Sequence, residues 1–318
     1  VASGRDPSVI AALRAAVRGE VRAEEPLARY STYRIGGPAT LVLPSTAADL
    51  AAALGIVREH RLPWFALGLG SNVLLPDAGL DAIVIRLGKG LDSISNDAER
   101  WTLGAGLPAP LAARKTAQAG WSGLHLMVGV PGTVGGGVFM NAGCHGGQWS
   151  DTVTSVLAVN GAGETRSFDR SEIPFRYRAS GLEGWIVLEA RVTLSRGDPT
   201  DLAGEVARLF EWRQRGTPFN QACCGSVFKN PAASVRHEGR ELRTAGQLIE
   251  AAGLKGAREG DAEISSMHAN YFVNTGAARA DQVRALIGRA REQVAARFGI
   301  VLEPEVKLIG PSGEYQTL

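Results

Sequence analysis

Between Gly129 and Gly143 the chain reads Gly-Val-Pro-Gly-Thr-Val-Gly-Gly-Gly-Val-Phe-Met-Asn-Ala-Gly, fifteen residues without one charged side chain. With side-chain chemistry nearly absent, the backbone must carry any function the run has. Glycine admits positive φ and lets a ligand come close to main-chain N–H groups, so the run is a candidate cradle for a phosphorylated cofactor. A tight turn feeding a closely packed, buried helix would use the same residues. A second uncharged loop, Gly68-Leu-Gly-Ser-Asn72, offers two glycines, a hydroxyl and an amide that could wrap a pyrophosphate without a cation. It is no dinucleotide fingerprint, because Val73 stands at the sixth position. Gly104-Ala-Gly-Leu-Pro-Ala109 fits that pattern better, yet residues 101–150 hold no Asp or Glu to meet a ribose, which argues against a Rossmann site. No G-x-x-x-x-G-K-[ST] is present to suggest a P-loop.

Elements must hold these loops. Residues 41–43 read as a strand and 46–60 as a helix, with Thr46 able to cap and Asp49 three residues on. The apolar run 64–67 leads straight into the first glycine loop, and 82–87 closes a small α/β unit. A strand from about Trp101, a helix over 110–119, the uncharged run, and strands over 153–159, 164–168 and 185–194 form a second region. A charged helix over 202–215 leads into a third, with a helix over 244–252, a strand at 271–273, a long helix over 280–298 and a final strand over 304–309. In the long helix Val283, Leu286, Ile287, Val294 and Phe298 share one face, and Gly299 stands at the C-terminal cap position.

The chain has 318 residues, enough for two or three domains with real cores. Hydrophobic content of 45%, charged content of 21% and a net charge of +2 argue against disorder, coiled coil or a nucleic-acid surface. The polar leader lacks the apolar segment of a secretory signal, and no window is long and apolar enough to span a membrane. Cys144, Cys223 and Cys224 fit neither a zinc site nor a disulfide framework, which predicts small buried thiols, no bound metal and a cytoplasmic setting.

Seven motifs in order resemble one family, the UDP-N-acetylenolpyruvoylglucosamine reductases. They are Tyr33-Arg-Ile-Gly-Gly37, the loop Gly68 to Asn72, Val130-Pro-Gly-Thr-Val-Gly-Gly136 with Asn141-Ala-Gly143, Phe175-Arg-Tyr-Arg178, Gly225-Ser-Val-Phe-Lys-Asn-Pro231, Ser266-Met-His-Ala-Asn270 and Glu303-Pro-Glu-Val-Lys307. The resemblance implies an α+β protein with an FAD-binding fold of the PCMH (vanillyl-alcohol oxidase-like) type. Its two α/β subdomains would span residues 1–88 and 89–197, and a C-terminal α+β substrate domain residues 198–318, with the last strand able to return to the flavin domain. The short interval between Arg178 and Trp185 resembles the family's second subtype, which lacks an inserted substrate loop.

That resemblance implies a cytoplasmic, monomeric cell-wall enzyme. NADPH would reduce a non-covalent FAD, which then reduces UDP-N-acetylglucosamine enolpyruvate to UDP-N-acetylmuramate. FAD would lie on Gly68, Leu69, Gly70, Ser71, Asn72 and Leu74, and on Gly129, Pro131, Gly132, Thr133, Gly135, Gly136, Asn141, Ala142 and Gly143. Arg178 would stabilise the enolate carboxylate with a two-pronged guanidinium, Ser226 would protonate the enolate carbon, and Glu305 would share a proton with the carboxylate or water. A serine is a poor acid, so a neighbouring cation such as Lys229 is expected to lower the cost of proton loss. Tyr177, Arg213, Lys229, Asn230, His268 and Asn270 would contact the nucleotide sugar. The chain departs from the family pattern at Gln148, where an acidic residue is usual, at Cys144-His145 in place of Ala-Tyr, and at Thr217 in place of Gln. Cys144-His145 also keeps open a flavin oxidase on the same fold, with the cofactor tethered covalently.

Overall fold

Short runs rich in Val, Ile and Leu form the parallel heart of the first sheet. Strands Pro38–Leu43 and Trp64–Leu67 each pair in parallel with Ile83–Arg86, and Glu20–Pro26 extends the sheet beyond Pro38–Leu43. Helix Ala47–Glu59 connects two of these strands, and Thr46 caps it by accepting from Asp49 N–H. Asp49 does not complete a reciprocal capping box. Its buried carboxylate instead accepts from the backbone N–H groups of Arg18, Gly19 and Ser45, which ties the turn after helix Pro7–Ala16 to the start of the next helix.

The structure, a computed structural model, describes residues 3–318; Val1 and Ala2 of the leader lie outside it. Contacts gather the chain into two units. One comprises Val1–Glu25, Ala39–Leu69 and Leu80–Arg213, the other Pro26–Pro38, Gly70–Gly79 and Gln214–Leu318. Both stretches expected as flavin subdomains fall largely within the first unit.

The second sheet of that unit is antiparallel, in the order Thr165–Asp169, Val153–Asn160, Trp185–Thr193, Arg100–Gly104, Ile94–Asp97. Helix Ala109–Gln118 and the six-residue helix Val134–Phe139 share its apolar core, in which Leu103, Val138, Trp149 and Val156 are fully buried.

In the second unit, Ala222–Ser226, Tyr271–Asn274, Ala262–Ile264 and Arg258–Glu259 form an antiparallel sheet. Helix Ala280–Phe298 buries Val283, Leu286, Ile287 and Val294 against the unit's core, and Gly299, at φ 68°, caps it. The carboxylate of Asp77 accepts from the N–H of Ala280 at the helix start, where negative charge is favoured, and so pins segment Gly70–Gly79 to this unit. The final strand is shorter than the sequence suggests. Lys307–Ile309 pairs in parallel with Val73–Leu74, whereas Pro304 makes only a lone bridge to Phe228.

Candidate active site

The two glycine loops begin on the same unit. A Cβ on Gly68 would stand 2.7 Å from Thr133 Oγ1, so only glycine lets the first loop lie against the second. Thr133 is buried and accepts from Gly136 N–H as the cap of helix Val134–Phe139. Within the uncharged run the glycines divide by role. A Cβ on Gly135 would press on Ala105, one on Gly137 would enter the Trp149 indole at 2.3 Å, and one on Gly143 would meet Gly147 O at 2.5 Å. These three serve close packing. The amides of Val134 and Gly135 are spent on Leu107 O and Ala105 O. Gly136 differs: it is exposed, and a Cβ there would meet only the Thr133 hydroxyl, at 3.5 Å. Beside it Pro131 is exposed and Gly132 holds φ 133°, a conformation that glycine supplies. The exposed, uncharged main chain at Pro131 and Gly136 fits the close approach of a cofactor's pyrophosphate or flat ring.

The remaining cofactor candidates are placed as follows. Gly70 (φ 63°) packs so that a Cβ would strike Tyr30 O, and with Ser71 and Asn72 it belongs to the second unit. Asn72 spends its amide on Glu305 O at 3.2 Å, and its own C=O accepts from Lys307 N–H. The Leu74 side chain is buried in the second unit's core, which leaves backbone atoms to offer a ligand. Ala142 bonds Gly137 O through its N–H, Gly129 lies against Arg213 and His145, and Leu69 is half-buried beside the first loop's turn.

Arg178 is half-buried in the first unit at φ 57°. Its guanidinium donates to Gly143 O at 3.0 Å and lies 4.8 Å from the centroid of the exposed Tyr177 ring. The loop is held from below by Asn141, whose Nδ2 donates to Arg176 O at 3.0 Å. Arg213, at the end of helix Pro199–Gly216, reaches Cys144 Sγ at 3.9 Å. His145 stands edge-on to Trp212, and burial, reinforced by Arg213 and Arg208, holds its imidazole below the usual histidine range.

Ser226 and Glu305 are brought together in the second unit by a backbone clamp. Ser226 ends its strand opposite Tyr271 after a bulge, where Gly225 at φ 78° supplies the extra residue. Such a bulge re-aims the next side chain. Val227 C=O then accepts from Glu305 N–H at 2.8 Å, and Val227 N–H donates to Asn270 O. The Asn270 side chain closes the clamp: Oδ1 accepts from Phe228 N–H and Nδ2 donates to Phe228 O, both at 2.9 Å. Asn270 is buried and both ends of its amide are committed, so it positions the strand and does not reach a nucleotide sugar.

Other expected contacts are partly committed as well. Lys229 pairs with the exposed Glu303, which offsets the positive field it was expected to lend Ser226. Asn230 Oδ1 accepts from Ala245 N–H at the start of helix Ala245–Ala251, and His268 Nδ1 accepts from Asn270 N–H. Burial pushes the Cys224 thiol up; the Tyr33 hydroxyl opposes the rise, while Cys223 and Glu305 add to it. Cys224 therefore stays protonated. None of the three cysteines forms a disulfide among the described residues.

Comparison with known proteins matches a family model of an FAD binding domain to residues 38–169, and one of the UDP-N-acetylenolpyruvoylglucosamine reductase C-terminal domain to residues 217–309. The protein is thus an FAD-dependent oxidoreductase with a mixed α/β flavin domain of the PCMH type. It is 40% identical over 305 residues to the UDP-N-acetylenolpyruvoylglucosamine reductase of Halalkalibacterium halodurans, covering 95% of this chain and 98% of that protein. The crystal structure of UDP-N-acetylenolpyruvylglucosamine reductase from Thermus caldophilus matches with a TM-score of 0.76 at 35% identity, over 91% of this chain and 99% of that one. The chain belongs to the UDP-N-acetylenolpyruvoylglucosamine reductase family.

Proposed function

We propose that the protein uses NADPH to reduce UDP-N-acetylglucosamine enolpyruvate to UDP-N-acetylmuramate, as a cytoplasmic monomer in peptidoglycan precursor synthesis. Non-covalent FAD, when bound, supplies hydride transfer from NADPH to the enolpyruvyl group. The chain manages charge and protons. Hydride addition to one carbon of the enol ether leaves an enolate spread into the carboxylate, and a proton must reach the neighbouring carbon. Arg178 meets that carboxylate with charge-assisted, directional hydrogen bonds, which strengthen as the charge develops. Ser226 gives its proton to the enolate carbon, and Glu305 shares a proton with the carboxylate or with water. Tyr177, Arg213, Lys229, Asn230 and His268 bind the nucleotide sugar; the two cations suit its diphosphate. The observation that carries this reading is the clamp on Val227, which makes Ser226 and Glu305 parts of one rigid piece of backbone.

The test is anaerobic. NADPH should bleach the visible flavin band of the purified protein, and the enolpyruvyl substrate should restore it with formation of the lactyl ether. A bleached flavin indifferent to that substrate contradicts the assignment. Flavin released by denaturation is expected; colour that stays with the polypeptide would favour the tethered-oxidase alternative.

A further inference from the structure

We propose that Gln148 and Asn141 form a positioning device for Arg178, through which Gln148 governs the second half-reaction without meeting the substrate. The inference rests on the reading that Arg178 receives the substrate carboxylate.

Loop residues 176–180 are stitched to residues 139–143 at three alternate positions. Arg176 O accepts from Asn141 Nδ2, the Arg178 guanidinium donates to Gly143 O, and Ser180 Oγ donates to Phe139 O at 2.7 Å. Both Asn141 (φ 42°) and Arg178 (φ 57°) are non-glycine residues in the left-handed region, a conformation that persists only where the surroundings over-determine it. Asn141 is 1% exposed, and the amide of its side chain has a single workable orientation. Nδ2 faces two oxygens, Gln148 Oε1 at 3.2 Å and Arg176 O at 3.0 Å, while Oδ1 faces Ser150 N–H at 2.9 Å. A flipped amide would set oxygen against two acceptors and a donor against a donor. Gln148 is itself fixed, because its N–H donates to Asp151 and its side chain accepts from Asp151 N–H.

Gln148 thus contributes one thing to Arg178, an acceptor oxygen aimed at Asn141. A carboxylate supplies the same oxygen, which accounts for Gln standing where the resemblance leads one to expect an acid. An aliphatic side chain of like size supplies none; Asn141 then loses one of the three partners that hold its amide, keeping Arg176 O and Ser150 N–H, and its grip on Arg176 loosens.

The experiment is stopped-flow on both half-reactions for wild type, Gln148→Leu and Gln148→Glu. Flavin reduction by NADPH should stay within about twofold in all three. Oxidation of the reduced enzyme by saturating UDP-N-acetylglucosamine enolpyruvate should slow about tenfold or more in Gln148→Leu, the equivalent of one lost buried hydrogen bond, and recover to within about twofold in Gln148→Glu. Gln148→Met, which likewise removes the amide oxygen that faces Asn141, should behave as Gln148→Leu and serves if that variant does not fold. An unchanged second half-reaction in Gln148→Leu overturns the proposal, as does equal slowing of both halves or a Gln148→Glu as slow as Gln148→Leu. Failure of wild type itself in the second half-reaction faults the functional reading instead. Hydrogen exchange across residues 175–180 then tests the positioning alone: it should rise in Gln148→Leu and not in Gln148→Glu, and equal exchange in the two overturns it.

Discussion

Replacing Asn270 with leucine separates a positioning role from a ligand contact. The side chain is buried and satisfies both the N–H and the C=O of Phe228 at 2.9 Å, and Phe228 is itself 1% exposed. Leucine is close in size, so the cavity cost is small and the loss is that of two stranded backbone groups. Each unsatisfied buried group costs about 1–3 kcal/mol, which puts Asn270→Leu at roughly 4 kcal/mol within the second unit. With about 1.4 kcal/mol per factor of ten, protection of the amides of residues 227 and 228 against hydrogen exchange should fall by roughly three orders of magnitude. Peptide-level exchange mass spectrometry at neutral pH reads this directly, without relying on tryptophans, all of which lie in the first unit. Protection within tenfold of wild type, together with a raised KM for the nucleotide sugar, would refute the reasoning and return Asn270 to the substrate site.

Two further outcomes follow from the same geometry. Gly137→Ala drives a methyl into the Trp149 indole and should destabilise the first unit by about 1–3 kcal/mol, whereas Gly136→Ala should leave stability near wild type and weaken FAD retention; thermal melts and flavin release measure the two, and reversed results would contradict the division of the run. His125 is buried, its Nδ1 accepts from Gly123 N–H, and burial holds its pKa below the usual value against the opposing pull of Glu205. The unfolded chain therefore takes up the proton first, so stability contributed by the neutral ring is intact above the unfolded pKa of about 6.5 and declines as pH falls through it. Denaturation between pH 7 and pH 5 should show a steeper loss for wild type than for His125→Asn, and equal slopes would contradict this.

Elements with a strong local signature were legible in the sequence. The parallel strands announced themselves as apolar runs, helix Ala280–Phe298 as a periodic face ending in Gly299, and Thr46 as a cap. Strands Arg258–Glu259 and Ala262–Ile264 escaped because they are short and carry charge, and they are set by pairing, Ala262–Ile264 with Tyr271–Asn274 and Arg258–Glu259 with Ala262–Ile264. Asp77 escaped for a related reason: the helix it caps begins 203 residues further on. At the site, residue types pointed to a backbone cradle, but Arg178, Ser226 and Glu305 stood out only through the family resemblance. Asn141 and Asn270 show the limit most plainly. A sequence reveals that an amide is present, whereas its partners, Arg176 O and the Phe228 backbone, are set by tertiary structure. Both read as ligand contacts in the sequence, whereas in the fold their amides are committed to backbone groups.

In the proposed reaction Ser226 delivers the proton of the second half-reaction and takes no part in the first. Anaerobic stopped-flow of Ser226→Ala tests it most directly. NADPH should bleach the flavin at the wild-type rate, and reoxidation by UDP-N-acetylglucosamine enolpyruvate should slow roughly a hundredfold to ten-thousandfold, the range of a general-acid contribution. Equal slowing of both halves, or reoxidation at the wild-type rate, would contradict the claim.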